Sequence, residues 1–175
     1  QQKNNLNYDY VDSFSEGLCS VQKEGKYGFI DKTGEVVVPL IYDRVDSFSE
    51  GLCSVQKEGK YGFIDKTGEV VVPLIYDRVD YGFSKGLAKV RKGDKWGFID
   101  KTGKVVVPLI YDYVDSFSEG LCGVKKEGKW GFIDKTGEVV VPLIYDYVYS
   151  FSKGLARVRL DGHYRTINKA GKTLD

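Results

Sequence analysis

Lys95-Trp96-Gly97-Phe98-Ile99-Asp100-Lys101-Thr102-Gly103-Lys104-Val105-Val106-Val107-Pro108 decides the reading of this chain. The stretch returns at Lys129–Pro142, and with Tyr for Trp at Lys26–Pro39 and Lys60–Pro73. A worn copy, Tyr164-Arg165-Thr166-Ile167-Asn168-Lys169-Ala170-Gly171, comes last. The aromatic–Gly step falls at 27, 61, 96 and 130, with Tyr164 in register, so the period is 34 residues and once 35. The extra residue lies where Tyr81-Gly82-Phe83 replaces Ser47-Phe48, and Val11–Asp46 and Val45–Asp80 are identical. Repetition at such a period predicts stacked supersecondary units. Five units are expected, at about 8–41, 42–75, 76–110, 111–144 and 145–175, in one repeat domain over 8–175. Residues 1–7 are a polar lead-in.

Inside a unit apolar residues alternate with period two, and no helical pattern occurs. In the first unit Leu18–Lys23 is a strand, Glu24-Gly25 a two-residue hairpin turn and Lys26–Asp31 the next strand. Lys32-Thr33-Gly34 forms a second tight turn, with Gly at a left-handed position. Glu35–Val38 is a third strand, ended by Pro39, which lacks a backbone N–H. Tyr42–Phe48 is either an irregular connection or a poor fourth strand.

Pairing Lys23 with Lys26 sets Val21 opposite Gly28 and Cys19 opposite Ile30, and then Val36 opposite Ile30 and Val38 opposite Gly28. One face carries Cys19, Val21, Gly28, Ile30, Val36 and Val38; the other carries Leu18, Tyr27, Phe29 and Val37. A sheet apolar on both sides must be covered on both sides. The expected fold is therefore all-β, with five small antiparallel sheets packed face to face like propeller blades. Polar Arg165 and Thr166 in the last unit resemble an end cap, which tilts the reading toward an open superhelix; a closed five-bladed propeller is the alternative.

These same residues carry a resemblance. Lys-Trp-Gly-Phe-Ile-Asp-Lys-Thr-Gly-Lys-Val-Val-Val-Pro, followed by Tyr-Asp and Phe-Ser-Glu-Gly-Leu, resembles the WG-repeat family of bacteria from Tyr8 to the C-terminus. The resemblance implies a bacterial β-repeat module, often exported or joined to other domains, with no catalytic residues to carry over. The chain departs from the pattern at Tyr27 and Tyr61 and at Tyr164-Arg165. It begins at Gln1 rather than Met, which reads as a processed or excised product and, with the resemblance, gives an expectation of export to the cell surface or beyond.

Composition narrows the partners. Net charge is +1, which argues against nucleic acid, and no apolar run approaches the ~18 residues of a membrane helix. The three cysteines, Cys19, Cys53 and Cys122, share one place in the unit, where Ala88 and Ala156 stand elsewhere. That alternation predicts buried, reduced thiols. Asp43/Asp46, Asp77/Asp80 and Asp112/Asp115 could form a calcium ladder, but turn chemistry is the favoured role. Asp31, Asp65, Asp100 and Asp134 are read as turn residues. His163 stands alone at a hairpin turn, without a nucleophile or base beside it. No enzyme, metal or cofactor is expected.

What breaks the repeat is one pair of positions on the second strand. Ser20/Gln22 and Ser54/Gln56 become Lys89/Arg91, then Gly123/Lys125, then Arg157/Arg159. Lys89, Arg91, Lys125, Arg157 and Arg159 are the candidate binding residues, a basic stripe at the rim for an anionic ligand. The expected function is a non-enzymatic repeat scaffold for a protein or glycan. The alternative is a structural element that self-associates weakly head to tail, since residues 1–85 carry net −4 and residues 86–175 net +5.

Overall fold

The computed structural model describes residues 7–174; the lead-in, Asn7 apart, lies outside the described residues. Its elements are β-strands gathered into five small antiparallel sheets. The first sheet is β1 (Tyr10–Ser15), β2 (Leu18–Lys23), β3 (Lys26–Ile30) and β4 (Val36–Tyr42). The second is β5 (Arg44–Val45), β6 (Leu52–Lys57), β7 (Lys60–Asp65) and β8 (Val70–Tyr76). The third is β9 (Arg78–Ser84), β10 (Leu87–Lys92), β11 (Lys95–Asp100) and β12 (Val105–Tyr111). The fourth is β13 (Tyr113–Ser118), β14 (Leu121–Lys126), β15 (Lys129–Asp134) and β16 (Val139–Tyr145). The fifth is β17 (Tyr147–Val148), β18 (Leu155–Leu160) and β19 (His163–Asn168). Each sheet is an up-and-down meander in sequence order. The chain forms two compact units: one runs to Gly93 and takes in Ile99–Lys104, the other holds Asp94–Phe98 and the chain from Val105 onward.

Two-residue turns set the registers. Glu24 and Gly25 have φ of 52° and 81°, and Glu16 and Gly17 have 54° and 86°. Two consecutive positive φ values make the turn whose twist matches a right-handed hairpin. Lys23 accordingly pairs with Lys26, Val21 with Gly28 and Cys19 with Ile30, as the turn requires.

The fourth strand corrects three expectations. Pro39 does not end it, because β4 is an edge strand and runs on to Tyr42 with no ladder partner needing that N–H. Val38 pairs with Phe29, not Gly28, since Val37 is an extra residue between Ile30↔Val36 and Phe29↔Val38. That slip of one residue moves Val38 to the face of Phe29 and Leu18, while Val36 stays opposite Ile30 but 51% exposed. Between Phe29↔Val38 and Tyr27↔Tyr42, residues 39–41 bulge past the single Gly28. Finally, the stretch after Tyr42 is the first strand of the next sheet, short in β5 and longer in β9 and β13.

Neighbouring sheets pack face to face within each unit. In the first, Leu18, Phe29, Val38 and Tyr42 meet Phe48, Cys53, Val55 and Ile64, with the Phe29 and Phe48 rings edge to face at 4.8 Å. In the second, Leu121, Trp130, Phe132 and Val141 meet Phe151, Ala156, Val158 and Ile167. On the far side of the first sheet Tyr8, Val11 and Leu40 pack over Cys19, Val21 and Ile30. The three thiols are buried and unbridged, and each donates to a backbone carbonyl, of Asp12, Asp46 or Asp115. Burial pushes the Cys53 thiol far above its ordinary range.

Carboxylates tie the turns. The Asp31 carboxylate accepts the Thr33 hydroxyl at 2.6 Å, the Thr33 N–H at 2.9 Å and the Glu35 N–H at 3.0 Å. Asp65, Asp100 and Asp134 repeat this, and all four are held below the usual carboxylate range, first by the threonine hydroxyl. Other carboxylates reach from one sheet to the next. Glu50 accepts the N–H groups of Lys85 and Gly86 at 2.6 and 3.0 Å, with Lys101 at 3.5 Å. Glu119 does the same with Lys153, Gly154 and Lys169. Both are lowered, first by the glycine N–H.

Two outcomes are expected. A Cβ on Gly62 would lie 2.3 Å from the Val72 carbonyl oxygen and 2.8 Å from the Pro73 carbonyl. Gly62→Ala should therefore destabilise the fold by about 1–3 kcal/mol or more, measured by urea unfolding; an unchanged midpoint would contradict the close approach. Acid should also weaken the fold. A depressed carboxylate pKa gives stability that is complete above the unfolded value and lost as pH falls through the folded one. The urea midpoint should be level above about pH 5 and fall below about pH 4, and a flat profile down to about pH 3 would refute the carboxylate ties.

Candidate functional site

The strand-pair positions 20 and 22 do not act alone. Register puts Tyr10 opposite Gln22 on β1 and Tyr27 opposite Gln22 on β3. Asp12 lies beside Ser20, whose hydroxyl is 3.5 Å from its carboxylate. Five positions per sheet thus form one polar patch across the first three strands. They read Tyr10, Asp12, Ser20, Gln22, Tyr27, then Arg44, Asp46, Ser54, Gln56, Tyr61. The third sheet has Arg78, Asp80, Lys89, Arg91, Trp96, the fourth Tyr113, Asp115, Gly123, Lys125, Trp130, and the fifth Tyr147, Tyr149, Arg157, Arg159, Tyr164.

In the first unit the patches of the first two sheets line an open pocket of about 630 Å³. Ser20 and Ser54 are buried in its wall rather than standing at a rim. Tyr27 and Tyr61 contribute half-buried rings, and Arg44 a cationic side chain. Asp43, also in the lining, accepts the Glu58 N–H at 2.9 Å and the Lys26 ammonium. The Lys26 hydrogen bond is the main reason its carboxyl lies below the usual range. Lys89 and Arg91 belong to this unit as well. Lys89 is nearly buried, with its ammonium 4.0 Å from the Asp80 carboxylate, so its charge is compensated within its own sheet.

The second unit holds Lys125, Arg157 and Arg159, and here the surroundings are aromatic. Lys125 pairs across the hairpin with Trp130, whose ring meets Tyr113 at 5.6 Å and Tyr147 at 5.3 Å, both edge to face. Tyr147 meets Tyr149 at 5.0 Å. The Arg157 guanidinium lies over the Tyr164 ring at 4.4 Å, and that of Arg159 at 5.7 Å. Tyr149 and Tyr164 share a hydrogen bond, the first cause of the raised Tyr149 pKa. The basic residues expected from sequence therefore fall into two groups, one per unit. Sequence reasoning missed their aromatic partners and Tyr149, although Tyr145-Asp146-Tyr147-Val148-Tyr149 breaks the recurring Tyr-Asp-x-Val-Asp.

Of the paired aspartates, Asp43, Asp77 and Asp112 accept an N–H from a turn 15 or 16 residues on and face a lysine, and Asp80 lies against Lys89. Asp46 and Asp115 cap the N–H of the residue after them, and Asp112 takes the Glu127 N–H at 2.8 Å. His163 is exposed and opens β19 opposite Leu160.

The sequence matches the family described as WG containing repeat five times, at 5–27, 27–61, 61–96, 96–130 and 130–164. No curated protein matches the chain. Among solved structures it is similar to a eukaryotic initiation factor, with TM-score 0.55 and 11% identity over 93% of this chain and 52% of that one. Hsv2p of Kluyveromyces lactis gives 0.50 and 10%, over 95% and 63%. PorZ, titled a bacterial surface component of the type-IX secretion system of Porphyromonas gingivalis, gives 0.44 and 11%, over 96% and 28%. The neighbours are propeller-type folds, and this chain spans about three fifths of the length of the Hsv2 chains. At such identity the likeness is one of fold.

Trp130 is 7% exposed and joins the core to this aromatic surface. Trp130→Ala should cost about 3–5 kcal/mol in urea unfolding, the usual price of deleting a buried large aromatic. A loss below about 0.5 kcal/mol would show that the ring carries no core role.

Proposed function

The chain belongs to the WG containing repeat family, and from that premise we propose that it is a non-enzymatic repeat scaffold that binds a protein or glycan ligand. One observation carries the reading. Core positions and most turn residues recur from unit to unit, and glutamate ties recur at Glu16, Glu50 and Glu119, while the patch formed by the first three strands changes its charge and size. Ser and Gln give way to Lys and Arg, Tyr gives way to Trp, and in the fifth sheet Tyr149 takes the place held elsewhere by aspartate. A constant frame with a varied surface is the arrangement that repeat proteins use for recognition. Polar groups in a pocket supply orientation, and exposed aromatic rings supply contact area.

A second reading, self-assembly, rests on Phe14. It is 46% exposed, whereas its counterparts Phe48, Phe83 and Phe151 are buried. Such a ring fits a preceding unit that offers a phenylalanine. The last unit of this chain has Thr166 there, which weighs against homotypic stacking.

The test is a binding screen of the purified chain on glycan and peptide arrays, with sedimentation to high micromolar concentration. At least one ligand should bind a monomer and be recovered chemically unchanged. Turnover of the ligand would refute the non-enzymatic reading. Concentration-dependent oligomers without any ligand would favour self-assembly instead.

A further inference from the structure

We infer that Arg157 and Arg159, with Tyr147, Tyr149 and Tyr164, form a binding site for a uronate-bearing glycan. The inference rests on the glycan arm of the scaffold reading and specifies its ligand.

Charge is the first argument. Four sheets carry Asp at one patch position: Asp12, Asp46, Asp80 and Asp115. Where the sheet also carries a cation at the adjacent position, as at Lys89, the Asp80 carboxylate compensates it at 4.0 Å. The fifth sheet gains a cation at Arg157 and at the same time replaces the aspartate by Tyr149. A carboxylate brought by a ligand restores the charge balance that the chain itself gives up there.

Geometry is the second. Arg157 and Arg159 lie two residues apart on β18, so their side chains leave the same face about 7 Å apart. Both are exposed. The Tyr164 ring supports their guanidinium groups at 4.4 and 5.7 Å. A guanidinium stacked on a ring keeps its N–H edge for a planar acceptor, and a carboxylate matches that fork.

The aromatic residues decide between anions. Tyr147, Tyr149 and Tyr164 are 43–48% exposed and lie beside the two arginines. A hexuronate carries an apolar C–H face and a carboxylate on one rigid ring, so it addresses a tyrosine and a guanidinium together. An acidic peptide bears its carboxylates on flexible stems with no apolar face beside them. Inorganic phosphate has charge alone.

Isothermal titration with an oligogalacturonate, its methyl ester and poly-L-glutamate tests this, using the full chain at low and high salt. The oligogalacturonate should bind and the neutral ester should not. Arg157→Gln should weaken binding at least about tenfold, the loss of one hydrogen bond to a charged group. Tyr149→Asp restores the residue that four other sheets tolerate, so it should keep the thermal melt of the parent while abolishing binding. Unchanged affinity in a folded Tyr149→Asp protein would overturn the site. Binding of poly-L-glutamate in place of oligogalacturonate would overturn the glycan assignment and leave the scaffold reading with a protein ligand. No binding of any probe would also overturn the site, while the array screen decides the scaffold reading independently.

Discussion

Each four-stranded sheet turns on one close approach, that of the outer strand's carbonyl to the glycine of the aromatic–Gly step. The Val38 carbonyl oxygen passes where a Cβ of Gly28 would be, and the same holds for Val72, Val107 and Val141 over Gly62, Gly97 and Gly131. Because nothing stands between them, residues 39–41 can arch over one residue of β3 and still bring Tyr42 opposite Tyr27. That arch places Leu40 on the Cys19 face and hands the chain on to the next sheet. The fifth sheet supplies the counter-example. Arg165 occupies the glycine position, no fourth strand forms among the described residues, and an isolated bridge between Ile167 and Thr173 stands in its place.

The ties between sheets follow the same economy. A glutamate in one turn accepts two N–H groups of the next turn and is met by a lysine, Lys101 of Lys101-Thr102-Gly103 at Glu50 and Lys169 of Lys169-Ala170-Gly171 at Glu119. Lys85 and Lys153 replace that glutamate, and an ammonium cannot accept an N–H. The tie is therefore present at Glu16, Glu50 and Glu119 and cannot form from those two lysines. Exposed ties of this kind contribute modestly each. Most of the fold's stability comes from the paired faces, where Phe29, Phe63 and Phe132 are almost fully buried against the next sheet's ring.

Much of this was legible in the chain itself. The two-residue turn Glu24-Gly25 gives the hairpin register directly, since a positive-φ pair admits one pairing. The burial of Cys19, Cys53 and Cys122 followed from their exchange with Ala88 and Ala156. The outer strand was not legible, because a bulge at Val37 and an arch at 39–41 depend on space above Gly28, which only the folded backbone reveals. Pro39 looked like a stop for the same reason: its missing N–H matters in a sheet interior and not at an edge. The patch was legible in part. Arg157 and Arg159 stood out as breaks in the repeat, but Tyr147 and Tyr164 are neighbours only through pairing, 12 and 5 residues away from Arg159 in the chain.

The separation of frame from patch has a physical cause. Core positions touch residues of the next sheet on all sides, so a change there alters two sheets at once. Apart from Trp130, which is buried and meets Tyr147 of the next sheet, patch positions open onto solvent or a pocket, with short-range ties such as Asp80 with Lys89 or Arg157 with Tyr164. Replacing Ser and Asp by Arg and Tyr in the fifth sheet exchanges a hydroxyl–carboxylate contact for a guanidinium–ring contact, without touching Val158 or Ile167 beneath. The repeat can thus carry neutral polar groups in one place and cations in another on the same backbone. Recognition by such a chain is set by which side chains stand at five positions per sheet, and the stacking is indifferent to the exposed ones, such as Arg157 and Arg159, but not to Trp130, which the core also uses.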